Sequence, residues 1–214
     1  MAVDKEYLVD LIERLLGVKD HEVIVGSQSI SWMAHREVEN IREIDVLDDL
    51  QKLLFVESSQ KKIAAIFIIL RSIGINTEDA STTNLMIRFL SGEAIKEFDR
   101  DILYQMMSST FETGLNYQEQ ISGITYWVDD QDEMVRNTAI RLLGLTSNHK
   151  NEAESVLIDV IENAYDDYGI QYAADSLFEV GSNSCISILK SSLTELESQD
   201  AIYSARRTIR KFKI

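Results

Sequence analysis

At 214 residues the chain has room for one well-buried domain or two small ones, and its 36 acidic against 21 basic residues leave a net charge of −15. A surface this negative repels phosphate backbones, so nucleic acid is not an expected ligand. A lone cysteine, Cys185, rules out an internal disulfide, and no apolar run approaches the ~20 residues of a membrane span.

The start, Met1-Ala2-Val3-Asp4-Lys5-Glu6, lacks the basic-then-apolar profile of a signal peptide, so a cytoplasmic protein is expected. Leu8, Leu11, Ile12, Leu15 and Leu16 fall at helical spacing over residues 4–16, and Gly17 can end that helix. Val23-Ile24-Val25 could form a short strand, but without a partner strand it reads as an apolar loop. Helices follow over 29–43, with Trp32, Met33 and Ile41, and over 46–56. A very apolar helix over 60–73 is closed by Gly74. Being apolar almost all round, it predicts a central helix covered on both sides. Further helices over 80–90, 99–111, 117–128, 133–143, 151–163, 168–180, 185–196 and 201–211 complete about twelve, or six antiparallel pairs. With no proline and nine glycines, nothing reads as a flexible linker between domains.

One pattern recurs. Asp130, Asp132, Val135, Arg136, Ala139, Leu143 and Gly144 form an acidic opening, a central small residue and an aliphatic-Gly ending. Weaker copies surround Ala173 and Ala205, so the central alanines lie 34 and 32 residues apart, a period that fits a helix pair and two short turns. The aspartates suit a helix start, where a carboxylate caps free N–H groups. Ala139 and Ala173 would let a neighbouring helix approach closely, and Gly144 and Gly181 sit where left-handed caps would. The spelling Asp-x-Asp-x-x-Val-Arg-x-x-Ala-x-x-x-Leu-Gly over 130–144 resembles the HEAT repeat family, in its short bacterial form. The resemblance implies an all-α fold, an α-α superhelix or solenoid of about six antiparallel helix pairs. It would be a single domain over 1–214, with capping helices over 1–57 and a repeat array over 58–214, clearest at 129–213. It also implies a ladder of Asp–Arg bonds between successive repeats, although only the 129–144 unit carries both residues.

In solenoids of this kind alternate helices line the concave side; here these are 117–128, 151–163 and 185–196. The second presents Glu152, Ser155, Asp159 and Glu162 along one stripe, which Glu119 and Glu195 on the flanking helices can extend. Tyr126 and Trp127 end the first of these helices. Tyr165, Tyr168 and Tyr172 cluster at the turn into the helix over 168–180, and aromatic residues of this kind suit interfaces. Residues 129–167 hold ten acids against three bases, a field that would steer a basic partner. Arg206, Arg207, Arg210, Lys211 and Lys213 reverse the local charge to +4 over 199–214, as a cap on a helix C-terminus does.

Chemistry is not written into the chain. His21, His35 and His149 are scattered; His35 and Glu39 lie four apart but lack further ligands for a metal. The acidic run 129–133 lacks the glycine and terminal glutamate of a calcium loop, and no phosphate-cradling or nucleophile-elbow motif occurs. Cys185 lies on an apolar helix and reads as core. No cofactor, metal or catalytic residue is therefore expected. The function expected is a non-enzymatic protein-binding module or scaffold whose acidic concave surface holds a basic protein partner, away from membranes. One alternative is a bacterial immunity protein that neutralises a toxin nuclease. A second is a HEAT-like lyase or other enzyme with an unrecognised site, which would show a pocket of converging polar side chains.

Overall fold

Helical spacing of the apolar residues translates into twelve α-helices and no strand among the described residues. The structure is a computed structural model and describes residues 4–18, 29–164 and 166–213. Val23-Ile24-Val25, His21 and Tyr165 lie outside them. No helix among the described residues is long and apolar enough to cross a membrane. The chain divides into two compact units, Met1–Phe89 with Ala94–Leu115, and Leu90–Glu93 with Asn116–Ile214.

In the first unit, α1 (Lys5–Leu15) starts at Asp4, whose carboxylate accepts from the Tyr7 N–H, and buries Leu8, Leu11, Ile12 and Leu15. Gly17 ends it as expected, at φ 68°, and the Val18 N–H returns to the Glu13 carbonyl. α2 (Ile30–Val38) is capped by Ser29 and stops five residues before the expected end at 43. Tyr7 Oη and Arg14 Nη1 both donate to the Glu37 carboxylate, the latter at 2.6 Å, tying α1 to α2. A 3-10 turn (Ile44–Val46) leads into α3 (Leu47–Val56).

α4 (Gln60–Thr77) is the central helix expected. It buries Ile63 to Phe67, Ile69, Leu70 and Ile73, and α1, α2, α3 and α6 (Arg100–Glu112) all pack on it. Gly74 does not close it. The helix runs on to Thr77, and Glu78 takes the left-handed cap at φ 55°. Gly74 serves close approach instead: a Cβ there would lie 2.5 Å from Thr82 Oγ1 of α5 (Ala80–Leu90).

In the second unit the expected helix over 117–128 shrinks to one turn, α7 (Ser122–Thr125). Tyr117 instead makes an isolated parallel bridge to Thr146, with its N–H on the Leu145 carbonyl and its carbonyl accepting from Ser147. Those bonds hold 117 extended, which a helix there would forfeit. α8 (Glu133–Leu143) and α9 (Lys150–Glu162) follow, then α10 (Asp167–Val180), a 3-10 turn at Asn183–Cys185, α11 (Ile186–Ser192) and α12 (Gln199–Phe212). The helix expected over 185–196 is thus shorter, because Thr194 and Glu195 already turn back on Ser191 and Ser192.

α8, α10 and α12 pack side by side, while α9 packs on α10 and α11. Ser176 Oγ donates to the Ile140 carbonyl at 2.9 Å and Thr208 Oγ1 to the Ala174 carbonyl at 2.8 Å. Arg207 reaches Asp175 at 3.3 Å, and Lys211 Nζ donates to the Phe178 carbonyl. Contacts at a near-constant sequence offset mean that these helices run parallel, each shifted by one period. Glu154, early in α9, meets Ser182 just past α10, so α9 and α10 run antiparallel.

Gly144 and Gly181 are not left-handed caps; their φ values are −67° and −73°. A Cβ on Gly144 would lie 3.0 Å from Ser176 Cα, so its role is to let α10 approach. The N-cap of α8 is Asp132, which accepts from the Met134 and Val135 N–H groups; Asp130 holds the Asp132 N–H one step earlier. Arg136 donates to the Asp130 carbonyl at 2.8 Å and stands 3.9 Å from Asp166, the N-cap of α10. That is one ion pair between α8 and the start of α10.

Candidate functional site

α9 carries most of the acidic stripe. Its packing arc buries Ala153, Leu157 and Ile161, which turns Glu152, Ser155, Asp159 and Glu162 to solvent. At 100° per residue these four fall within an arc of about 80°, and the stripe runs about 15 Å along the axis. Glu152 lies 3.5 Å from His149 Nδ1, and Asp159 accepts from Asn163 Nδ2 at 3.2 Å. Among the described residues no lysine or arginine pairs with Glu152, Asp159 or Glu162.

The other expected contributors are placed differently. Glu119 lies in a bend between Tyr117 and α7 and is half-buried. Glu195 is exposed, but in the turn after α11, and α11 itself offers Lys190 to solvent. Tyr126 is 53 % exposed. Trp127 is a core residue, 1 % exposed, and so is corrected from surface to interior: its indole faces inward while Tyr126 stacks edge-on against it at 4.7 Å. Tyr168 is 56 % exposed, whereas Tyr172 lies under the Arg141 guanidinium at 5.5 Å.

One carboxylate was missed. Glu154 is buried at 7 % exposure and accepts from the Ser182 N–H at 2.7 Å, Ser182 Oγ at 2.9 Å and Ser184 Oγ at 2.6 Å. These bonds clamp α9 to the turn after α10. The signal was present, since three residues before Leu157 and seven before Ile161 is a place on the packing arc. Only the assumption that acids face water hid it.

Cys185 is buried and its Sγ donates to the Ser182 carbonyl at 3.0 Å. Burial first, then the negative charge of Glu154, pushes the thiol up to about 11. An unfolded thiol ionises near ~8.5, so this contribution to stability is complete below that pH and is lost as pH rises toward the folded value. Denaturant melts at increasing pH should therefore show wild type losing stability faster than Cys185→Ala above about pH 8.5. A native thiol that a thiol reagent modifies readily at about pH 8 would contradict the buried assignment.

Burial alone raises the Tyr117 phenol above its ordinary range, and its hydroxyl has no hydrogen-bond partner among the described residues. A cleft lined by Asp129, Arg136, Val160, Asn163 and Asp166 has a volume of about 30 Å³, room for one or two waters. Among the described residues no three His, Cys, Asp or Glu side chains are grouped to hold a metal ion. No protein-family model matches the chain, and neither does any curated protein.

Proposed function

We propose that the chain is a HEAT-like α-solenoid protein that works by binding a basic protein partner, without a catalytic step of its own. The observation that carries this reading is the stripe on α9: Glu152, Asp159 and Glu162 are exposed with no lysine or arginine against them, on a chain of net charge −15. The side-by-side packing of α8, α10 and α12 with α9 and α11 behind them supports the repeat architecture. So do the hydroxyl-to-carbonyl bonds that recur from α8 to α10 and from α10 to α12. An array of this kind holds its side chains at fixed spacing, which lowers the ordering cost of binding. The acidity suits a toxin nuclease as one such basic partner, with the chain as its immunity protein.

Each exposed ion pair adds only about 0.2–1 kcal/mol, so contacts along the stripe steer encounter and set salt dependence more than they hold the complex. The test is affinity capture from the native cell, with wild type beside an Asp159→Lys/Glu162→Lys bait. Both positions are exposed, so the variant keeps its fold. The expected result is that basic proteins retained by wild type are lost from the variant and elute from wild type at raised salt. Identical partner sets on the two baits would remove the stripe from the contact surface.

A further inference from the structure

The basic end of the chain carries two arginines that the packing of α12 does not use. α12 buries Ala201, Ser204, Ala205, Thr208 and Ile209, and its cations fall into two sets. On the flank toward α10, Arg207 reaches Asp175 at 3.3 Å and lies 4.2 Å from the centre of the Phe178 ring, with Lys211 Nζ 4.3 Å from the same ring. On the adjoining outer flank, Tyr203, Arg206 and Arg210 fall within an arc of about 60° and about 10 Å of helix axis. All three are exposed, Tyr203 at 64 %. Neither of these arginines pairs with a carboxylate among the described residues.

Stability does not account for them. The helix dipole acts on cations only in the last turn, which holds Arg210 and Lys211, so Arg206 lies beyond its reach. Arg206 and Arg210 also stand four residues apart, where like charges disfavour a helix. Solubility does not require them on a chain of net charge −15, and a merely solvated flank has no use for an exposed tyrosine. Tyrosine and arginine are among the residues that dominate protein contacts, and the guanidinium fork takes a carboxylate through two bonds at once.

We propose that the flank of α12 bearing Tyr203, Arg206 and Arg210 docks an acidic segment of another protein. Charge complementarity names the occupant, because residues 199–214 carry +4, the reverse of the chain as a whole. Phosphate would suit the same guanidiniums, but a membrane or a nucleic acid duplex extends well beyond the Debye length of about 8 Å. Such a surface also meets the exposed Glu179 of α10 and Glu197 of the turn before α12, which repel it. A short run of glutamates and aspartates reaches the flank alone, with an apolar neighbour resting on the Tyr203 ring. This flank and the α9 stripe lie on different helices, and the inference stands whether or not that stripe binds a basic protein.

The probe is a fluorescein-labelled helical peptide with glutamates three and four residues apart and one leucine, followed by fluorescence anisotropy. Wild type should bind it, with an affinity that falls as salt is raised. Arg206→Ala/Arg210→Ala should bind about tenfold more weakly, the combined effect of two exposed ion pairs. Arg206→Lys/Arg210→Lys should fall between, since it keeps the charge and loses the fork. The altered side chains are exposed, so circular dichroism should show the same helix content in every variant. Asp159→Lys/Glu162→Lys should bind the peptide at least as well as wild type, which separates this flank from the stripe on α9. Equal binding by wild type and the double-alanine variant overturns the proposal. Tighter arginine-dependent binding to phosphatidylserine vesicles or duplex DNA than to the peptide also overturns it, by making phosphate the ligand. A wild-type mass of two chains by light scattering, returning to one in the double-alanine variant, does the same by making a second copy the occupant.

Discussion

Replacing Trp127 by alanine should destabilise the second unit by about 3–5 kcal/mol, the cost of emptying the space of a large buried aromatic side chain. Trp127 is among the largest fully buried side chains of the chain, at 1 % exposure. It sits where α7 gives way to the turn before Asp130, with its N–H on the Ile124 carbonyl. No change at the surface approaches this effect. Its neighbour Tyr126 is 53 % exposed, and Tyr126→Ala should cost under about 1 kcal/mol, mostly the lost edge-on ring contact. Urea melts followed by circular dichroism compare the two. If Trp127→Ala melts like wild type, the indole is not a core element and its assignment to a contact surface returns.

The second large effect is expected at Gly123. Helix propensity alone predicts that Gly123→Ala gains about 1 kcal/mol, because alanine loses less chain entropy in α7. Packing predicts the opposite. A Cβ at 123 would lie 2.3 Å from Ser91 Cα, and what it meets is backbone, which cannot swing aside as a side-chain tip can. Overpacking of this kind costs about 1–3 kcal/mol and more where backbone must move. The clash should win, giving a net loss of about 2 kcal/mol and a melting temperature lower by about 4–8 °C. A variant as stable as wild type would mean that α7 shifts freely away from Ser91, and that the glycine is not required by contact.

Much of the helical content was legible because its signals are local. The helices over 80–90 and 133–143 begin and end where their apolar spacing and flanking residues place them. Asp99, Asp132, Asp166 and Ser198 each accept from N–H groups in the first turn of the helix they precede. The shortfalls come from bonds made over distance. Tyr117 has helical neighbours in sequence, yet it pairs with residues about thirty positions on, through Leu145 and Ser147. Gly74, Gly144 and Gly181 look like helix ends from their flanks, but two of them are needed where another helix comes close. Part of the candidate surface was legible for the same local reason. Glu152, Asp159 and Glu162 share a helix face by spacing alone, whereas Glu119 depended on a helix that starts only at Ser122 and Glu195 on one that stops at Ser192.

What the amino-acid sequence determined unaided is the all-helical class, the N-terminal caps, the charge and the period of about 34 residues in the second half, since each follows from side chains a few positions apart. Tertiary structure decided which polar groups go inside and which aromatic groups stay out. Glu154 is buried because Ser182 and Ser184 are brought to it from the end of α10, and Trp127 turns inward while Tyr126 does not. Burying a charge is favourable only where donors meet it, and the position of those donors is a property of packed helices, not of the order of residues along one.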